Sequence, residues 1–121
     1  MNEDNRPSTL EGYTYRIETK EERLYITIND LQGEPFEVFC ITAKGGSELM
    51  AFSEAIGRLI SLILQLDGDL SPTERLERVS EQLRYIGGEE GRGFGPMRVR
   101  SYPDAVAKIL EEHLKERGGE P

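Results

Sequence analysis

The chain changes its hydrophobic period once, just after Ala43, and that switch does most to limit what it can fold into. Before it, Tyr13, Tyr15 and Ile17 alternate with polar neighbours, and Leu24, Ile26 and Ile28 do the same. Period two in aromatic and β-branched residues is the mark of strands with one face buried. The four residues Thr19–Glu22 between the two runs suit a hairpin turn. Asp30, Gly33 and Pro35 in NDLQGEP mark a second turn. From Pro35 to Thr42 the chain is apolar at Phe36, Val38 and Cys40 and also at Phe39 and Ile41, which predicts a central strand covered on at least one side.

After AKGGS the spacing becomes helical. Leu49, Phe52, Ile56, Leu59, Ile60, Ile63 and Leu66 recur at helical intervals, and the polar set Ser53, Arg58, Ser61 and Gln65 is narrow. That predicts a mostly buried helix, capped by Ser47 and stopped by Asp67-Gly68-Asp69. In SPTE, Ser71 stands as N-cap, Pro72 as first helical residue and Glu74 as the return half of a capping box. Leu76, Val79, Leu83 and Ile86 mark one face of this second helix, with Gly87-Gly88 at its end. A third helix begins at SYPD, with Ser101 or Tyr102 as cap and Pro103 and Asp104 in its first turn. Its inward residues are Ala105, Val106, Ile109, Leu110 and Leu114, and Gly118 ends it. The sum is an α+β fold, an antiparallel sheet of three to four strands with three helices packed on one face. One domain over residues 11–117 lies between a flexible acidic tail, 1–10, and a short tail, 118–121.

At 121 residues this is one domain, able to bury roughly two-thirds of the surface its unfolded chain exposes. Its 23 acids against 15 bases give a net charge of −8, which argues against non-specific binding to nucleic acid. Cys40 is the one cysteine, so the chain has no intrachain disulfide and no cysteine-based zinc site. Within FEVFCIT it reads as a small buried hydrophobe, not a nucleophile. The apolar region Leu59–Leu66 is broken by Ser61 and Gln65 and is too short to span a bilayer. The opening MNEDNRPST holds no apolar run of signal-peptide length, so the expected location is the cytoplasm.

The stretch GGEEGRGFGPMRVRSYPD, residues 87–104, is the least ordinary part of the chain. It matches neither GxxxxGK[ST] nor a strand–GxGxxG–helix unit. Arg98 and Arg100 lead into a helix start, whose N–H groups attract anions, and Ser101 adds a hydroxyl. With Arg92 these residues are candidates for holding a phosphate or nucleotide. Asp104 in the same first turn, with Glu89 and Glu90 in the loop, opposes a second anion, so a structural or protein-facing loop is the preferred reading. His113, among Glu111, Glu112 and Lys115, is expected on a solvated face and not as an acid–base catalyst. Glu54 and Arg58, four apart, are expected to pair at the rim of the first helix, with a role in an interface as the alternative.

Three blocks together carry a resemblance: ERLYITINDLQGEPFEVFCITAKGGS, SEAIGRLISLIL and RYIGGEEGRGFGPMRVRSYPDAVAKILEEHL. In this order, across roughly residues 13–115, they resemble the C-terminal domain of adenosylcobalamin-dependent (class II) ribonucleotide reductases, named for the sequence Thr-Ser-Cys-Pro-Asp. Where that motif is expected this chain has Arg100-Ser101-Tyr102-Pro103-Asp104, so Tyr102 replaces the cysteine. Ser47 follows Gly45-Gly46 where some members have Gly-Gly-Cys, Gly88 sits near a third cysteine position, and Cys40 matches none of them. The four-cysteine metal set of those members is therefore not expected here. Reductase chemistry uses a thiyl radical, a reducing cysteine pair and a cobalamin, which one cysteine cannot supply. The resemblance implies a non-catalytic accessory or regulatory domain linked to deoxynucleotide synthesis, which itself binds no cofactor. Adenosylcobalamin is implied for a partner reductase alone. The expected partners are a reductase catalytic chain or a second copy, with a nucleotide as the alternative ligand and no membrane.

Overall fold

The computed structural model describes residues 6–18, 23–43, 46–87 and 99–117. Strands β1 (Glu11–Glu18), β2 (Arg23–Leu31) and β3 (Glu34–Thr42) form an antiparallel sheet in the order β1-β2-β3. Helices α1 (Ser47–Gln65), α2 (Pro72–Leu83) and α3 (Tyr102–Arg117) follow. The α+β expectation holds, with three strands among the described residues. The Thr19–Glu22 turn and the Gly118 helix stop lie outside the described residues, although Glu18 pairs with Arg23 on either side of the turn. The second turn is two residues long. Gln32 and Gly33 both have positive φ, 55° and 83°, as a type I′ hairpin requires.

Register sorts the strand residues into two faces. Ile17, Leu24, Ile26, Ile28, Val38 and Cys40 point to the helices and join Ile60, Leu64, Leu76, Val106, Ile109 and Leu110 in one core. The opposite face carries the cross-strand rows Thr14–Thr27–Phe39 and Arg16–Tyr25–Ile41. There Phe39 is 49% exposed and Ile41 59%. The strand expected at the centre is therefore an edge strand, and β2 is central. The apolar content of β3 misled because its two outward hydrophobes are left largely exposed among the described residues.

The free edge of β3 is closed by a helix. Val38 N–H donates to Ser61 Oγ (2.9 Å) and Val38 O accepts from the same hydroxyl (3.1 Å), while Gln65 Nε2 donates to Phe36 O (3.0 Å). Gly57 permits the approach, since a Cβ there would lie 3.0 Å from Val38 O and 3.2 Å from Cys40 N. Satisfying an edge strand's backbone groups removes a template for aggregation. α1 is thus not mostly buried as its spacing predicts. It turns Ser53, Gly57, Ile60 and Leu64 inward and leaves Phe52, Leu59 and Leu66 more than half exposed.

Caps hold the helix ends. Gly46, not Ser47, is the N-cap of α1, and no side chain caps it. The α1 C-terminus is covered by Arg75 of α2, whose Nη1 donates to the carbonyls of Ile63 (3.0 Å) and Leu66. The capping box of α2 forms as expected, Ser71 Oγ accepting from Glu74 N–H and Glu74 Oε1 from Ser71 N–H. That helix ends at Leu83, before Gly87, so Ile86 falls outside it and is 44% exposed.

Candidate functional site

The start of α3 is built around Asp104, which is fully buried. Its Oδ1 accepts the Tyr85 N–H at 2.7 Å and its Oδ2 the Arg100 N–H at 2.8 Å. Lys108 Nζ stands 3.5 Å from Oδ1. Burial alone would raise the Asp104 carboxyl, but these two N–H groups and the Lys108 ammonium hold it below the ordinary carboxylate range. Ser101 caps the helix: its Oγ accepts the Asp104 N–H (3.2 Å) and donates to Ile86 O (2.5 Å). Gly87 must pass closely here, because a Cβ on it would meet Arg100 O at 2.7 Å. Asp104 thus pins the segment before the glycine-rich loop to the segment after it.

Above this pin sits Tyr85, 61% exposed, with a positive φ of 68°. A non-glycine residue in that region is strained by about 1 kcal/mol or more. The Arg84 and Arg100 guanidinium carbons and Lys108 Nζ lie 5.5, 5.6 and 5.1 Å from its ring centroid, within cation–π range. Arg84 also pairs with Glu111 at 3.1 Å. Of the candidate anion ligands, Arg100 and Ser101 are therefore brought together, whereas Arg92 and Arg98 lie outside the described residues. The helix start they were expected to offer already carries the Asp104 carboxylate. Glu54 and Arg58 pair with each other at 2.6 Å on α1, both well exposed.

Tyr102 stands at the motif's cysteine position, half-buried against the core that holds Cys40 of β3. Burial pushes the Cys40 thiol up to about 12, and the influence of Tyr102 lowers it only in part. A neutral, buried thiol is a weak nucleophile, in accord with the reading of Cys40 as a small hydrophobe. Among the described residues, no group of three or more His, Cys, Asp or Glu residues is placed to hold a metal ion.

His113 departs from its expected place. It is 1% exposed, on the inward face of α3, where its Nδ1 lies 2.8 Å from Tyr15 Oη and its Nε2 3.1 Å from Asp30 Oδ1. A carboxylate only accepts, so Nε2 carries the proton and, in the neutral ring, Nδ1 accepts from the Tyr15 hydroxyl. The rings of Tyr13 and Tyr15 meet His113 edge-on, with centroids 6.0 and 5.7 Å away. Although the order Asp–His–hydroxyl has the form of a nucleophile relay, the Tyr15 hydroxyl is pushed up to about 12, first by burial and then by Glu116, Tyr13, Asp30 and Glu112. It remains a protonated donor at neutral pH. The chain of bonds therefore ties edge strand β1 to β2 and α3.

Two signals could have found it. Asp30 continues the inward series Leu24, Ile26, Ile28, where an acid demands a buried partner, and His113 lies three or four residues from Ile109 and Leu110.

A third feature lies on the outer sheet face. Behind the exposed Phe39 and Ile41, Glu37 is 5% exposed and takes both Arg6 Nε (2.9 Å) and Arg6 Nη2 (2.7 Å), with Asn29 Nδ2 at 2.6 Å. The Arg6 bond does most to lower the Glu37 carboxyl, against its burial. Among the described residues, no helix is long and apolar enough to cross a membrane.

No curated protein and no solved structure matches the chain. A family model does: the TSCPD domain matches residues 2–114, spanning both the sheet and the pinned start of α3. The chain belongs to the TSCPD domain family.

Proposed function

We propose that this chain is a non-catalytic accessory domain that docks on the catalytic chain of a ribonucleotide reductase and so acts in deoxynucleotide supply. Family membership supports the reductase link. One observation carries the docking: Phe39 and Ile41, neighbours on the outer face of β3, stand 49% and 59% exposed on a face that none of the described helices covers. Adjacent apolar side chains of this size favour the centre of a protein contact. The non-catalytic role is supported by chemistry, since radical reduction requires several reactive thiols and the one here is buried and neutral.

The test is co-sedimentation with the class II reductase chain encoded in the same genome. The expected result is a complex that the double variant Phe39→Lys, Ile41→Lys no longer forms, with its circular dichroism unchanged. Absence of a complex with the wild-type chain, or an equally tight one with the variant, overturns the docking. Deoxynucleoside diphosphate formation by the purified polypeptide alone overturns the non-catalytic role.

A second reading is a site for a nucleotide or another phosphate-bearing ligand at the start of α3. It rests on the exposed Tyr85 ring, which offers a stacking surface ringed by Arg84, Arg100 and Lys108. Thermal shift with nucleoside di- and triphosphates tests it. A rise in Tm lost in Arg100→Ala supports the site, and no rise removes it.

A further inference from the structure

Opposite the side that α1 lays on β3 runs a second apolar stripe. Phe52, Ala55, Leu59, Leu62 and Leu66 are all exposed, the four large ones by 56, 59, 56 and 53%. Their spacing is three, four, three, four, the seam of a helix that pairs with another helix at a shallow angle. No charged residue interrupts the stripe from Phe52 to Leu66. The nearest charges beside it, Glu54 and Arg58, cancel each other within the helix at 2.6 Å.

We propose that α1 is a homodimerisation helix, and that the occupant of this stripe is the same stripe of a second copy. Three observations select a second copy over other partners. A two-fold axis supplies a helix of equal length and matching spacing, with each patch facing itself. Glu54 and Arg58 beside the seam neutralise each other within one copy and the exposed Glu48 stands beyond its N-terminal end, so the seam from Phe52 to Leu66 itself offers no charge for a basic or acidic partner to read. The area also suffices. Phe52, Leu59, Leu62 and Leu66 offer about 400 Å² of apolar surface per copy, if each fully exposed side chain presents roughly 150–200 Å². Two copies with their flanks then bury on the order of 1,000 Å², about the threshold for a specific interface. This surface lies on α1, not on the outer face of β3, and the proposal does not depend on the reductase reading.

Sedimentation velocity of the full chain at high micromolar concentration tests it. The wild type is expected at about twice the 13.7 kDa chain mass, and Leu59→Glu at the chain mass with an unchanged circular dichroism spectrum. Leu62→Lys is the second variant should Leu59→Glu fail to fold. A wild type that stays monomeric overturns the proposal, as does a folded variant that remains dimeric. Binding to the reductase chain separates the two readings. Leu59→Glu is expected to retain it and Phe39→Lys, Ile41→Lys to lose it, so either surface can fail alone.

Discussion

Asp104 is the residue on which the loop-to-helix junction depends. Replacing it by Asn keeps the shape but turns an amide N–H₂ toward the N–H of Tyr85 or Arg100, so one buried donor loses its acceptor and meets another donor. Asp104→Asn is expected to destabilise the fold by about 2 kcal/mol at pH 7, read by urea denaturation. The sign of the pH effect follows from the depressed carboxyl. The unfolded chain takes up its proton first, near pH 4, so the stabilisation is complete above that point and fades as pH falls through the lower folded value. The gap between wild type and Asp104→Asn should therefore narrow below roughly pH 4. Glu37, also depressed, moves the wild type in the same direction. Sequence placed Asp104 in the first turn of its helix, and the general preference for acids there explains why that was legible. It did not reveal which N–H groups the carboxylate serves, because Tyr85 and Arg100 meet only in the fold. His113 was misread for a related reason: its sequence neighbours Glu111, Glu112 and Lys115 are polar, while its spatial neighbours are Tyr15 and Asp30.

Among the elements, α1 shows most clearly what periodicity conveys and what it omits. Its length and apolar character were legible. Which side faces inward was not, because both sides are rich in hydrophobes, and the inward side is marked by its small and polar members. Ser53, Gly57, Ser61 and Gln65 recur every four residues, and the last three meet the backbone of β3. A helix that closes a strand edge needs small residues for approach and hydroxyl or amide groups for the unpaired backbone. Two substitutions test this. Gly57→Val places branched carbons against the Val38 carbonyl and Cys40 N–H and should destabilise by about 2 kcal/mol through overpacking. Ser61→Ala leaves both polar groups of Val38 without their partner and should cost about 1–2 kcal/mol, with faster hydrogen exchange at the Val38 amide as the local readout. Unchanged exchange at Val38 would show that the hydroxyl does not close the edge.

For the whole molecule, charge and apolar surface pull in opposite directions. A chain with net charge −8 repels its own copy at long range, yet α1 offers a seam without charge. The repulsion acts across the full surface and is screened over about 10 Å at 0.1 M salt, whereas burial of Phe52, Leu59, Leu62 and Leu66 is nearly insensitive to salt. Raising sodium chloride from low to physiological strength should therefore tighten pairing of copies severalfold, measured as a falling dissociation constant in sedimentation equilibrium. A partner held to this acidic surface by basic groups would respond in the opposite sense, since screening weakens attraction as well as repulsion. Salt dependence thus reports which term dominates. If self-association weakens as salt rises, contact between opposite charges and not the α1 seam holds the copies together. If it strengthens in the wild type and vanishes in Leu59→Glu, the −8 charge is what keeps an otherwise adhesive helix from pairing indiscriminately.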